Sequence, residues 1–175
     1  MEEMIDILDE ATGNLIGEII SKDEAHKTGK WHGAIHIIII NKDATRTLLQ
    51  KRCAEKKLYP NMWDIAVGGH ISAGETAILT AERELQEELG LSIKDFEIKQ
   101  IGRVKEQLNN NGVISNEFVT IYIVKGDIDI SDIKLQKEEV SEAKWCSKAE
   151  LNQLISNKEI LPHVREYEIL NELLK

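Results

Sequence analysis

Long apolar runs are missing from this sequence. The longest, residues 34–40, is interrupted by His36 and falls far short of the roughly 20 residues a membrane-spanning helix needs. The opening MEEMIDILDE is acidic and has neither the basic stretch nor the apolar core of a secretory leader. Cysteine is scarce: Cys53 and Cys146 lie far apart and make no metal-type pair, so two reduced thiols are expected. No repeat, low-complexity tract or Pro/Gly-rich linker divides the chain, and one domain spanning residues 1–175 is expected. Positive charge is in deficit, with 22 Lys and Arg against 31 Asp and Glu and a net charge of -9. Nucleic acid and anionic membranes would be repelled, so neither is expected as a partner. A small anionic substrate remains admissible, because a few local cations outweigh a distant field. The expected setting is cytoplasmic, as a monomer or homodimer.

What is present reads as a folded globule, 42% apolar and 30% charged, and long enough for a sizeable core. Alternation and turn signals predict strands over 4–8 and 15–21, joined by the Thr12-Gly13-Asn14 turn, and over 31–41 and 45–52. The run IHIIII within 31–41 is apolar on both faces, which marks a central strand. Further strands are expected at 64–68, 96–108, 117–124 and 143–146, and helices at 76–89, 148–155 and 162–174. Strands mixed irregularly with three helices give an α+β layered sandwich, not a regular βαβ array.

The chemistry concentrates in GGHISAGETAILTAERELQEELGL, residues 68–91. On a helix, Glu84, Glu87 and Glu88 share an arc of roughly 100°. Ile78, Ala81, Leu85 and Leu89 form a neighbouring stripe that would anchor the helix, and Gly90 suits its left-handed end. Such a charge run commonly means a solvated face. Three adjacent carboxylates also repel one another, and a hard divalent cation such as Mg²⁺ that bridges to substrate phosphates is a use for that arrangement.

The segment resembles the Nudix box, G-x5-E-x7-R-E-U-x-E-E-x-G-U with U a bulky aliphatic residue. Gly69, Glu75, Arg83, Glu84, Leu85, Glu87, Glu88, Gly90 and Leu91 meet every fixed position. The resemblance implies a Nudix α/β/α sandwich, a mixed sheet flanked by helices. It implies Mg²⁺ or Mn²⁺ held by Glu84, Glu87 and Glu88 with a backbone carbonyl near Gly68 or Gly69. Glu75, Arg83 and Gly90 would be structural. Glu84, Glu87 and Glu117 are the candidates for general base.

Beyond the box, His26, WHGAIH (31–36), KRCAEKKLYPNMW (51–63), GGH (68–70), NEF (116–118) and KWC (144–146) resemble type 1 isopentenyl diphosphate isomerase, which shares the fold. That resemblance implies a possible second metal site, for Zn²⁺ or Mn²⁺, at His26, His32, His70 and Glu117, with Ser115 in place of a fifth ligand. It also implies a diphosphate grip by Arg52 and Lys56. The isomerase's catalytic cysteine is replaced by Gly68, and the full glutamate triplet belongs to the hydrolases. The expected activity is therefore magnesium-assisted attack of water on a diphosphate linkage in a nucleoside diphosphate-X or related small molecule. The alternatives are the isomerase itself and a non-catalytic nucleotide-binding module. His36 is expected as a satisfied strand histidine, His163 as a surface or helix-face residue, and Trp63 and Tyr59 as core. Lys57 belongs with Arg52 and Lys56 in a basic turn leading toward the box.

Overall fold

The computed structural model describes residues 2–175. In chain order its elements are β1 (Met4–Leu8), β2 (Leu15–Ser21), α1 (Lys22–Thr28), β3 (Trp31–Ile40), β4 (Arg46–Arg52), β5 (Trp63–Asp64) and β6 (Val67–His70). There follow α2 (Ala77–Leu89), β7 (Glu97–Asn110), β8 (Val113–Lys125), β9 (Val140–Ser147), α3 (Lys148–Ser156) and α4 (Val164–Leu173).

β3 is the axis of the sheet, and all ten of its residues are buried. Along one edge it runs parallel to β8, from Trp31 opposite Asn116 to Ile40 opposite Lys125. Its other edge is shared in turn by β1, β6 and β4, all antiparallel. β2 extends β1, β7 extends β8, and β4 carries both β5 and β9. The result is a mixed sheet.

Strand alternation sorts the side chains into two layers. Ile35, Ile37 and Ile39 pack with Ala81, Leu85 and Leu89 of α2. Ala34, Ile38 and Ile40 face the opposite way, toward Leu151 of α3 and Leu170 of α4. Helices on both faces complete an α/β/α sandwich. The same alternation sets His32 and His36 on the α4 side of the sheet, whereas Gly69 of β6 meets α2.

Several details depart from expectation. The strand expected at 64–68 is two strands, broken at the buried pair Ile65 and Ala66. A fourth helix, α1, has the polar sequence KDEAHKT and buries only Ala25, so it carries no apolar stripe. Its legible marks are local: Ser21 caps the start and Gly29, at φ 67°, ends it. Ile78 does not anchor α2, for it is 44% exposed, and Ala81, Leu85 and Leu89 do that work. Tyr59 is half-buried in a loop at φ 48° and lies outside the core. Trp63 sits at the core's margin, half-buried, with Lys51 and Lys144 over its ring. Cys53 and Cys146 are buried free thiols. Among the described residues no helix is long and apolar enough to cross a membrane.

Candidate active site

The turn from β6 into α2 brings the box residues together. A Cβ at Gly69 would run into the Glu84 carboxylate, so the bare backbone lets that carboxylate lie against the strand. Arg83 ties the loop to the helix. It donates to Glu75 at 3.0 Å, Glu84 at 2.6 Å and Glu87 at 3.2 Å, and Thr80 donates a further bond to Glu75. Gly90, at φ 69°, ends the helix with its N–H on the Gln86 carbonyl. Glu88 is buried and accepts from Gln50 at 3.0 Å. Burial, reinforced by the Glu84 charge, pushes the Glu88 carboxyl well above its usual range. Burial also raises Glu84, against the pull of Arg83. The negative charge of this face is therefore costly as it stands, and a dication would offset that cost. Among the described residues the three carboxylates do not close to within 4.8 Å of one another, because Arg83 draws Glu84 and Glu87 while Gln50 draws Glu88.

On the opposite face, four scattered residues converge. The parallel register sets Glu117 beside His32, the antiparallel register sets His70 beside Ala34, and α1 delivers His26. Ligand atoms of His26, His32, His70 and Glu117 all lie within 4.8 Å of one another. His26 Nε2 is 3.2 Å from His70 Nε2, and Glu117 Oε1 is 3.3 Å from His70 Nε2 and 3.7 Å from His32 Nε2. His32 Nδ1 lies 2.9 Å from the Lys30 carbonyl, which can only accept, so the ring proton sits there. That leaves the lone pair of His32 Nε2 aimed into the cluster, buried and without a partner. This is how a metal-ligating imidazole is oriented. Burial, then the neighbouring His70 and His32, lowers His26 to about 4 and keeps it neutral. Glu117 is driven well below the usual range by His32 and His70, against its burial. Ser115 fills the remaining side, hydrogen-bonded to Glu117 and 3.2 Å from His26 Nε2.

A third polar cluster had no clear signal in the sequence. His163 is not on the surface: it is 3% exposed, with Nε2 2.9 Å from Asp64 and Nδ1 2.9 Å from Glu106. Burial works against its charge, but Asp64 and Glu106 hold it protonated well above the usual imidazole range. His36 is buried beside it, with Nδ1 2.6 Å from Glu166 of α4. Arg52 reaches Asp64 at 3.2 Å and the Leu58 carbonyl, and Lys56 pairs with Glu139. Lys57 extends to exposed Asp23 instead. One cleft of about 650 Å³ is lined by members of all three groups, including Glu84, Glu88, His70, Glu117, His36 and Arg52.

Comparison with known proteins agrees with this architecture. The NUDIX domain model matches residues 30–166. Nudix hydrolase 3 of Arabidopsis thaliana is 38% identical over 90% of this chain, which spans only 21% of that protein's length. Isopentenyl-diphosphate Delta-isomerase of Serratia proteamaculans is 36% identical over 70% of this chain and 66% of its own. A crystal structure from Deinococcus radiodurans superposes with a TM-score of 0.76 at 20% identity, covering 99% of this chain and 100% of that one, a likeness of fold. With the box residues gathered on α2 and the family model matching most of its length, the chain belongs to the Nudix family.

Proposed function

We propose that this Nudix-family hydrolase cleaves the diphosphate linkage of a nucleoside diphosphate-X or related small molecule, using Mg²⁺ or Mn²⁺ on the Glu84, Glu87 and Glu88 face with the Gly69 carbonyl. The observation that carries the reading is Gly69 lying bare against Glu84, on a carboxylate stripe that runs from exposed Glu87 through half-buried Glu84 to buried Glu88. When bound, the divalent cation neutralises charge on the phosphoryl oxygens and acidifies an attacking water. Glu88, buried and oriented by Gln50, supplies a fixed ligand oxygen. Arg83 and Glu75 hold the loop that presents the Gly69 carbonyl. Arg52 and Lys56 bring positive charge to the cleft wall, where a diphosphate would take it in exchange for their present carboxylate partners. Glu117 already accepts from Ser115 and lies 3.3 Å from His70 on the other side of the sheet, whereas Glu84 and Glu87 stand on the cation face, which favours one of those two as the base. The His26, His32, His70 and Glu117 cluster, in this reading, is a second site whose three imidazoles and one carboxylate suit Zn²⁺ or Mn²⁺. The whole chain, residues 1–175, is read as one such domain.

The test is magnesium-dependent phosphate release across a panel of nucleoside diphosphate compounds, followed by Glu88→Gln. The variant is expected to keep its fold and lose several orders of magnitude in kcat, since an amide is a poor Mg²⁺ ligand. Near-normal turnover by folded Glu88→Gln protein sinks the assignment. The imidazole cluster and the isomerase relative favour one rival, isomerisation of isopentenyl diphosphate. Gly68 offers no proton donor where that chemistry needs one. No conversion to dimethylallyl diphosphate is expected with Mg²⁺ and Zn²⁺ both supplied, and steady conversion would reverse the ranking.

A further inference from the structure

The His36–Glu166 pair is left over by the proposed reaction, yet His36 stands in the wall of the cleft, with Glu166 buried behind it. His36 is 5% exposed. Its Nδ1 is fixed on Glu166 at 2.6 Å, and its Nε2 makes no hydrogen bond among the described residues. That nitrogen lies 3.8 Å from where a Cβ on Gly68 would stand, so the missing side chain at Gly68 leaves open the space in front of it. Polar atoms of His36, Glu106 and Glu117 come within 4.8 Å of one another, and of these His36 and Glu117 line the cleft, close enough for one small group to touch both. The same, largely polar cleft also presents the apolar side chains of Ala34, Leu108 and Leu161. Register places His36 on the face of the sheet opposite the carboxylate helix, and the cleft that holds it reaches round to Glu84 and Glu88.

We propose that His36, held by Glu166, is a specificity-determining residue that hydrogen-bonds a neutral hydroxyl on the substrate group X, with Gly68 providing the room. This deepens the hydrolase reading and rests on it. The chemistry follows from the surroundings. Glu106 and Glu117 would repel a second phosphate at this spot, whereas a hydroxyl accepts from the imidazole and donates to a carboxylate at once. Apolar side chains set among convergent polar atoms are how pockets fix an organic group in one orientation. Glu166 acts through His36 and is a positioning residue. Burial and the neighbouring His163 charge work against protonation of His36, but the bond to Glu166 outweighs them and raises its pKa, which favours the form that donates from Nε2; the neutral ring would accept the hydroxyl proton there instead.

The experiment follows the imidazole nitrogen resonances of ¹⁵N-histidine-labelled protein as inorganic pyrophosphate, ADP-ribose or UDP-glucose is added with Mg²⁺. Hydrolysis of the same compounds by wild-type and Glu88→Gln protein is measured in parallel. At least one sugar nucleotide is expected to shift His36 Nε2, while pyrophosphate, which has no X, leaves it unmoved. An equal shift with pyrophosphate overturns the proposal, and so does a His36 resonance that no probe moves. Hydrolysis that disappears in Glu88→Gln keeps the hydrolase reading whatever His36 does, so the two failures are separable. Gly68→Ala puts a methyl in ordinary contact with His36, without a clash. For the hydrolysed compound it is expected to raise KM by about tenfold with kcat within about twofold, the split of a ground-state contact. An unchanged KM counts against the proposal. Glu166→Gln keeps a hydrogen-bond acceptor for Nδ1 and should show a milder KM effect in the same direction, and wild-type KM there would remove Glu166 from it.

Discussion

His163 shows how much a single side chain can carry without advertising it. Its two ring nitrogens bridge Asp64 and Glu106 from the start of α4, in a place with 3% exposure. Breaking such a buried pair leaves a charge uncompensated, which costs about 3–5 kcal/mol. His163→Gln is therefore expected to lower unfolding free energy by an amount of that order in urea titrations at about pH 6. The pH dependence has a definite sign. A histidine whose folded pKa lies above its ordinary value of 6.5 contributes stability that is fully present below 6.5 and drains away as pH rises through the folded value. The gap between wild type and variant should shrink as pH rises through the folded value, and a gap that never shrinks before the protein unfolds in alkali would show that the charge is not the source. Asp64, with its carboxyl held at about 2, keeps its own contribution down to strongly acidic conditions. The sequence showed His163 only as a polar residue at a helix start. Its partners are 99 and 57 positions away, with nothing local to announce the pairing. His36 was legible as a buried strand residue, because IHIIII is apolar on both sides of it, but its link to Glu166 was not.

At the scale of elements, α2 was the most legible and α1 the least, for physical reasons. α2 shows its carboxylate stripe, its apolar stripe and its terminal glycine in consecutive residues, so periodicity alone locates it. α1 spans seven residues, six of them polar, held by caps and by one buried alanine, too short for a period to show. The end of α2 depends on a distant stretch that no local pattern reveals. The backbone N–H groups of Lys134 and Gln136 reach the carbonyls of Leu89 and Glu88 at 2.9 and 3.1 Å, satisfying helix-end acceptors. Gly90 makes this approach possible, since a Cβ there would clash with Lys134. Gly90→Ala faces both that clash and a left-handed backbone angle, and should cost about 1–3 kcal/mol. Because the cap bears on Glu88 itself, turnover should fall as well, with native circular dichroism retained. A variant as stable and active as wild type would mean that segment 134–136 plays no part in fixing the carboxylate.

At the scale of the whole molecule, the two metal sites proposed here lie on opposite faces of one sheet and share a strand. Gly69 turns toward α2 and the carboxylates, while its neighbour His70 turns toward the imidazoles, because successive residues of a strand face opposite ways. The box motif made the first site readable as a contiguous segment. The second became readable only through resemblance, since its four residues come from α1, β3, β6 and β8 and share no spacing. Opposite faces and different donor sets lead to a prediction about independence. Oxygen donors on α2 select Mg²⁺ or Mn²⁺, whereas three imidazoles and a carboxylate select Zn²⁺ or Mn²⁺. Calorimetric titration with Zn²⁺ should find a site that Glu88→Gln leaves intact and that His26→Gln weakens by at least about tenfold, the scale of losing one ligand or its support. Magnesium-dependent turnover should respond in the reverse order, collapsing in Glu88→Gln. His26 is the suitable residue to change, because it is only partly buried and reaches the cluster from a short helix at its edge. Zinc affinity that falls equally in both variants would mean that one shared site spans the cleft, and zinc binding unaffected by His26→Gln would remove the imidazole cluster as a metal site.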